Sequence, residues 1–398
     1  MAETTGRLRQ ARAALAASFL LQGATFALLV SCIPEIQRRY GLDDSLLPVF
    51  LAAVPILAGV GSIASEALVR RSSPRAVLRA VQPAVCLALA AVGVGTALWQ
   101  LALALAAFGL LVGALDASMN MLGVGLQHRY GRSIMLGFHA AFSLGGIAGA
   151  AVAGLGAHRG TPLSVLFAGS AAVLIPAALL VGTRFAGPAE LGDAVEQAAR
   201  AAGRAVPWRP LLPLCLAMAV AYIADASVSN YSVKYLTDTL HSPDDLAKLS
   251  YLGYMLAMLA GRALGDRGVQ RFGAVAVVRV GAATAALGFA AAAVSPAPWA
   301  GIAAFTLLGL GICAIIPQVF AAGGRLMPAD SDAAVARLNL FNYVGFLVGS
   351  PLVGAIGDAG SYRAALLAPM LLVLVILPLA GHFAPAPARE AKEPAQAH

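Results

Sequence analysis

Between Trp99 and Gln127 the chain carries one charged side chain, Asp116, inside the stretch GALDASMN (Gly113–Asn120). Asn120 follows one helical turn later, so acid and amide can share a face. A carboxylate in such company must take up a proton, find a partner or meet water. Reversible protonation is the chemistry this suggests; a structural tie to a neighbouring helix is the plainer reading. Asp225 is a second acid of this kind, in YIADASVSNYSVKYL (Tyr222–Leu236). Ser229 and Ser232 fall on its helical stripe with Asn230 beside it, a face suited to hydroxyl groups, although a fixed counter-charge would need the same residue. His139 titrates near neutrality and is spaced to meet Asn120 and relay a proton to Asp116. Alternatively it is an interfacial histidine bonded to a backbone carbonyl or to Ser143.

The elements that must hold these groups follow from composition. Of 398 residues 60% are hydrophobic and 12% charged, about half the charge of an ordinary soluble protein. Apolar runs long enough to cross a hydrocarbon layer of about 30 Å recur along the chain. They fall near 12–34, 46–68, 79–98, 100–126, 134–156, 163–183, 211–235, 249–265, 275–294, 299–324, 338–356 and 364–382. The expected class is therefore an all-α polytopic membrane protein with twelve spans. The apolar opening lacks a small-x-small cleavage site near Ser31–Ile33 and reads as the first span, not a leader. With the N-terminus inside, the inner segments and their flanks hold 21 of the 27 basic residues. That bias places both termini in the cytoplasm, as expected for an inner-membrane protein. It also accounts for the net charge of +8 without nucleic acid, since the inner arginines have no interleaved aromatic platform. Cys32, Cys86, Cys215 and Cys313 are scattered through apolar runs with no metal-ligand spacing, and no metal or cofactor is expected. No Gly-rich nucleotide loop ending in Gly-Lys-Ser/Thr is present, which argues against ATP as the energy source.

Arg184–Pro210 is the longest polar interval and divides the chain: a first bundle at 1–183, a cytoplasmic linker at 184–210, a second bundle at 211–383 and a disordered tail at 384–398. Within the linker, Ala189–Gly203 could form a short surface helix. A shift of 200 residues superposes the halves. GSIASEALVRRSS (Gly61–Ser73) falls on GRALGDRGVQRFG (Gly261–Gly273), pairing Gly61 with Gly261, Glu66 with Asp266 and Arg71 with Arg271, while Gly145 and Gly149 fall on Gly345 and Gly349. Duplication of this kind builds secondary transporters whose solute site lies between the halves.

GRALGDRGVQRFG resembles the loop signature of the major facilitator superfamily, a Gly, then Asp followed by Arg, then a second base, between the eighth and ninth helices. Its Gly-to-Asp spacing is one residue longer than the common form, and the first-half copy is degenerate. GALDASMN, YIADASVSNYSVKYL and CAIIPQVFAAG (Cys313–Gly323) are similar to stretches of the fucose-permease-like branch. The resemblance implies alternating access by two six-helix bundles, in a functional monomer whose partners are a small solute, protons and the lipid bilayer. It assigns gating to Gly261, Gly265, Asp266, Arg267 and Arg271 with Glu66 and Arg71. It assigns proton coupling to Asp116, with Asp225 and His139 as further candidates. Solute contacts are sought at Gln22, Asn120, Ser143, Ser229, Asn230, Tyr254, Gln318 and Asn342. Stripes such as Tyr251, Tyr254, Met255 and Met258, or Asn339, Asn342, Tyr343 and Phe346, suit sugar rings and amphiphilic solutes equally, and also suit plain packing. No acid stands between Arg12 and Cys32, where fucose permeases carry polar and acidic groups. A proton-coupled symporter of a sugar-like metabolite is the leading expectation, and proton-antiport efflux of a drug-like or secondary metabolite the alternative. With no catalytic cluster and no large loop, enzyme activity is not expected.

Overall fold

The computed structural model describes residues 2–43, 46–191 and 207–384, and these form helices throughout, joined by short turns. Twelve segments are long enough to span a bilayer. The first six are α1 (Ala2–Ser31), α2 (Leu47–Arg71), α3 (Pro74–Val94), α4 (Leu98–Tyr130), α5 (Met135–His158) and α6 (Leu163–Gly182). The second six are α7 (Leu212–Lys234, prolonged by a wider turn to Thr239), α8 (Asp244–Phe272), α9 (Ala274–Ala293), α10 (Pro298–Ile312 and Ile315–Leu326), α11 (Ser331–Ala359) and α12, whose pieces run from Tyr362 to Phe383. Eleven of these are also apolar enough to cross a membrane. The remaining one is α8, with 29 residues, whose composition is diluted by Asp244, Asp245, Lys248, Arg262, Asp266, Arg267 and Arg271. The protein is a multi-pass membrane protein, and α8 completes its twelve helices.

Two boundaries differ from the sequence reading in ways that matter. The stretch Asp266–Phe272, beyond the span expected at 249–265, is the last two turns of α8, and a single residue, Gly273 at φ +82°, turns the chain into α9. Only glycine adopts that backbone conformation without strain. α4 likewise continues past its apolar run through Gln127–Tyr130 and stops at Gly131, which is left-handed at φ +62°. α10 breaks at Cys313–Ala314, one turn before Pro317, because proline has no N–H to offer the Cys313 carbonyl four residues back.

The 200-residue shift is visible in the packing. Lipid gives helices no hydrophobic reason to associate, so small residues that let backbones approach supply the contact. Gly145 and Gly149 of α5 face the carbonyls of Leu20 and Ala24 on α1; Gly345 and Gly349 of α11 face those of Ala219 and Ile223 on α7. Gly109 rests on Val54 and Gly309 on Tyr254. The Tyr40 hydroxyl donates to the Val92 carbonyl at 2.6 Å and that of Tyr235 to Ala292 at 2.6 Å.

Contact between the two sets of six runs mainly through α2 against α11 and α5 against α8, with α4 joining α11. Of the stretch expected as a linker, residues 192–206 lie outside the described residues, as does most of the surface helix expected at 189–203. A short helix at Pro188–Leu191 is present, and its Glu190 accepts from Arg7 Nε at 2.9 Å. That guanidinium holds the Glu190 carboxyl below the ordinary range. The tail from 385 onward is also outside the described residues.

Candidate functional site

Asp116 sits near the middle of α4, half-buried, and its two oxygens serve both halves of the molecule. Oδ2 accepts from the Tyr343 hydroxyl of α11 at 2.6 Å, and Oδ1 accepts from Gln22 Nε2 of α1 at 3.4 Å. Gln22 is 2% exposed and its Oε1 has no partner. One turn on, Asn120 donates to the Asp116 carbonyl at 2.9 Å, and its Oδ1 lies 3.3 Å from His139 Nε2. His139 is buried between the rings of Phe19 and Phe320. Ser143, a turn further along α5, donates to the His139 backbone carbonyl at 3.1 Å and accepts from Arg262 Nη1 at 2.7 Å.

On the other side Asp225 of α7 is half-buried, and the Tyr254 hydroxyl of α8 donates to its Oδ1. Tyr222, one turn before it, lies within electrostatic reach of both Asp116 and Asp225. The two intramembrane acids, Tyr222, Tyr254, Tyr343 and Arg262 thus belong to one polar centre.

Not every expected residue joins it. Asn230 is exposed and donates to the Ala226 carbonyl and to Ser350 Oγ at 2.7 Å, so it ties α7 to α11 away from the centre. Ser229 stands beside Tyr251. Gln318 is 1% exposed with neither amide atom partnered, and Asn342 is buried on α11. Arg262 is the participant the sequence reading missed. It stands in the stretch likened to a loop signature, and α8 carries it about 15 Å inward from its end at Phe272. A signal was available: Tyr251, Met255, Met258 and Arg262 repeat at the spacing of one helix face.

Below this centre, toward the face where α1 begins and α12 ends, the halves are latched. The Asp266 carboxylate of α8 accepts from Ser133 Oγ at 2.6 Å, from the Leu136 amide at 3.3 Å and from the Gly137 amide at 2.9 Å. Gln127 Oε1 accepts from the Ile134 and Met135 amides at 3.0 and 3.2 Å. All four free N–H groups at the start of α5 are therefore satisfied, two of them by an acid of the opposite half, where the positive end of the helix dipole favours it. Gly265 lies against Leu136, and Gly261 against Cys313. The degenerate copy makes the related contact: Glu66 accepts from Arg70 at 2.6 Å within α2 and lies 3.6 Å from Arg337 of α11. Nearby, Ser62 donates to the Ala336 carbonyl and accepts from Asn339 Nδ2. Arg267 and Arg271 are exposed, Arg271 lying over the Phe272 ring, and Arg71 is exposed as well. Hydrogen bonds and an ion pair that join the halves lie at Asp116 and on this side of it. These ties hold the interior closed toward that face.

Residues 214–398 match the family model described as Major Facilitator Superfamily. An uncharacterized MFS-type transporter of Yersinia pestis is 28% identical over 360 residues, covering 90% of this chain and 92% of its own. FucP in its outward conformation superposes with a TM-score of 0.77 at 18% identity over 94% of this chain and 98% of the other. A second FucP structure, described as the E. coli fucose:proton symporter, gives a TM-score of 0.74 at 16% identity with the same coverage of both chains.

Proposed function

We propose that this chain is a transporter of the major facilitator superfamily, a proton-coupled symporter of a small polar organic solute with Asp116 as the proton carrier. The latched face is assigned to the cytoplasm from the basic residues flanking it, which makes the described state outward-open in an inner membrane. Likeness in fold to a fucose:proton symporter supports the class of reaction.

The observation that carries the reading is the placement of Asp116. A carboxylate at the centre of a span costs about 2.5–3.5 kcal/mol on insertion scales. This one stands above the other ties between the halves, and its partner Tyr343 belongs to the opposite half. As a carboxylate it accepts a charge-assisted bond worth about 1.5–3 kcal/mol. Protonation from the open side weakens that bond and so loosens one tie between the halves. Gln22 accommodates either state, because its amide can be turned to present Oε1 to a protonated Asp116 or Nε2 to the charged form. Coupling follows when the proton and the solute each bind one arrangement of the halves better than the other.

Asp116→Asn keeps the size and loses the charge cycle. In proteoliposomes with an imposed proton gradient it should abolish solute accumulation while leaving solute exchange measurable. If the variant still concentrates solute against its gradient, Asp116 is not the carrier. The halves are assigned as 1–183 and 211–383, moving as bundles about the latched side, in a functional monomer.

A further inference from the structure

Proton carriage leaves Arg262 without a task. Its side chain is 7% exposed on the inward stripe of α8, and a guanidinium stays charged and brings five N–H donors. Nε reaches the Cys313 carbonyl at 3.4 Å, the one Pro317 leaves unbonded, and Nη1 donates to Ser143 Oγ at 2.7 Å. Both acceptors are neutral. Among the described residues no carboxylate lies within ion-pair distance of it. Asp225 is near enough to feel its charge but is bonded by Tyr254 instead. Nη2 makes no hydrogen bond among the described residues and keeps some exposed surface. A desolvated cation held at this depth is costly unless an opposite charge faces it.

We propose that Arg262 anchors a carboxylate of the transported solute, so that the solute is a hydroxylated organic anion and not a neutral sugar. The inference rests on the transport reading above and names its substrate class. The planar fork of Nη1 and Nη2 matches a carboxylate in two parallel bonds, and one negative charge balances one guanidinium. A phosphate monoester, at about −1.5 to −2, would overfill the site beside Asp225. The neighbouring hydroxyl of Tyr222 suits the solute's own hydroxyl groups. Binding there also has a mechanical consequence. Arg262 to Ser143 joins α8 to α5, just as Tyr343 to Asp116 joins α11 to α4. A carboxylate draws Nη1 from Ser143 while a proton weakens the second tie, so both ligands loosen the same closed side.

The test is a thermal-shift titration of the purified full chain at pH 7 with matched pairs: glucose and glucuronate, galactose and galacturonate, glycerol and glycerate, with glucose 6-phosphate alongside. Carboxylate members should stabilise the wild-type protein and neutral partners should not. Arg262→Gln should weaken carboxylate binding at least tenfold, and Arg262→Lys, which keeps charge without the fork, should fall between. Equal stabilisation by neutral and acidic members, a response to the phosphate alone, no response to any carboxylate, or unchanged binding in Arg262→Gln would each overturn the inference. The wild-type comparison needs no variant, so a substitution that fails to fold does not shield it. Binding in detergent needs no gradient, which separates this outcome from that of the Asp116→Asn accumulation assay.

Discussion

At the residue scale, the polar centre works because each costly group is shared between the halves. Tyr343 is the clearest case: its hydroxyl has the Asp116 carboxylate as acceptor across the α4–α11 contact. Tyr343→Phe removes a bond worth about 1.5–3 kcal/mol and should shift the balance of states toward opening of the latched side by about ten- to a hundredfold. Cys313 is a native reporter, since it is buried against Gly261 and Arg262 on that side. Its labelling by a membrane-permeant maleimide, followed by mass spectrometry, should accelerate in the variant, while Cys32, Cys86 and Cys215, buried elsewhere, should not follow. Unchanged Cys313 labelling would mean that the Tyr343 bond contributes nothing to closure. Asp116 and Asp225 were legible from sequence because a lone acid in an apolar run is conspicuous. Arg262 was not, since arginine beside glycine in a polar motif looks like every other inner-loop arginine until the helix is known to continue past it.

At the scale of elements, apolar length and glycine spacing were enough to place eleven helices, and polarity hid the extent of the twelfth. α8 runs on past its apolar part because two of its charged residues bond to other helices: Asp266 to the start of α5, Arg262 to Ser143 and Cys313. A hydropathy reading treats such residues as loop, which is why the motif was expected there. The glycine contacts predict a sharp contrast within a single helix. A Cβ at Gly145 would overlap the Leu20 carbonyl, a backbone atom that cannot step aside, whereas one at Gly146 meets nothing within 4 Å. Gly145→Ala should therefore lower stability by about 1–3 kcal/mol through overpacking. Gly146→Ala should be neutral or stabilising by up to about 1 kcal/mol, because alanine favours helix. Paired thermal unfolding curves in detergent decide it, and equal effects would mean that α1 and α5 are not in close contact.

At the scale of the whole molecule, the twofold repeat is imperfect in a way that fixes which latch holds. Both copies of the motif end on the same side and both reach the opposite half, but their chemistry differs. Asp266 caps a helix N-terminus of the other half, accepting from two backbone amides and one hydroxyl there. Glu66 keeps its short bond within α2, to Arg70, and meets Arg337 only at 3.6 Å beside an already bonded Ser62 and Asn339. The sequence showed the pairing of the two acids but not this asymmetry, because the partners at 133–137 and at 337 are brought up by helices remote in the chain. Asp266→Asn loses the charge facing the α5 dipole and weakens bonds that depend on it, an effect of about 1–3 kcal/mol. Glu66→Gln should cost less than about 1 kcal/mol, as a partly solvated ion pair does. The two acids act on separate helix pairs and share no partner, so their effects should add. Cys313 labelling should thus rise strongly in Asp266→Asn, slightly in Glu66→Gln, and by the product of the two factors in the double variant. A larger effect from Glu66→Gln would reverse the assignment of the main latch. A double variant no faster than Asp266→Asn alone would show that the two contacts open as one cooperative unit and not as independent ties.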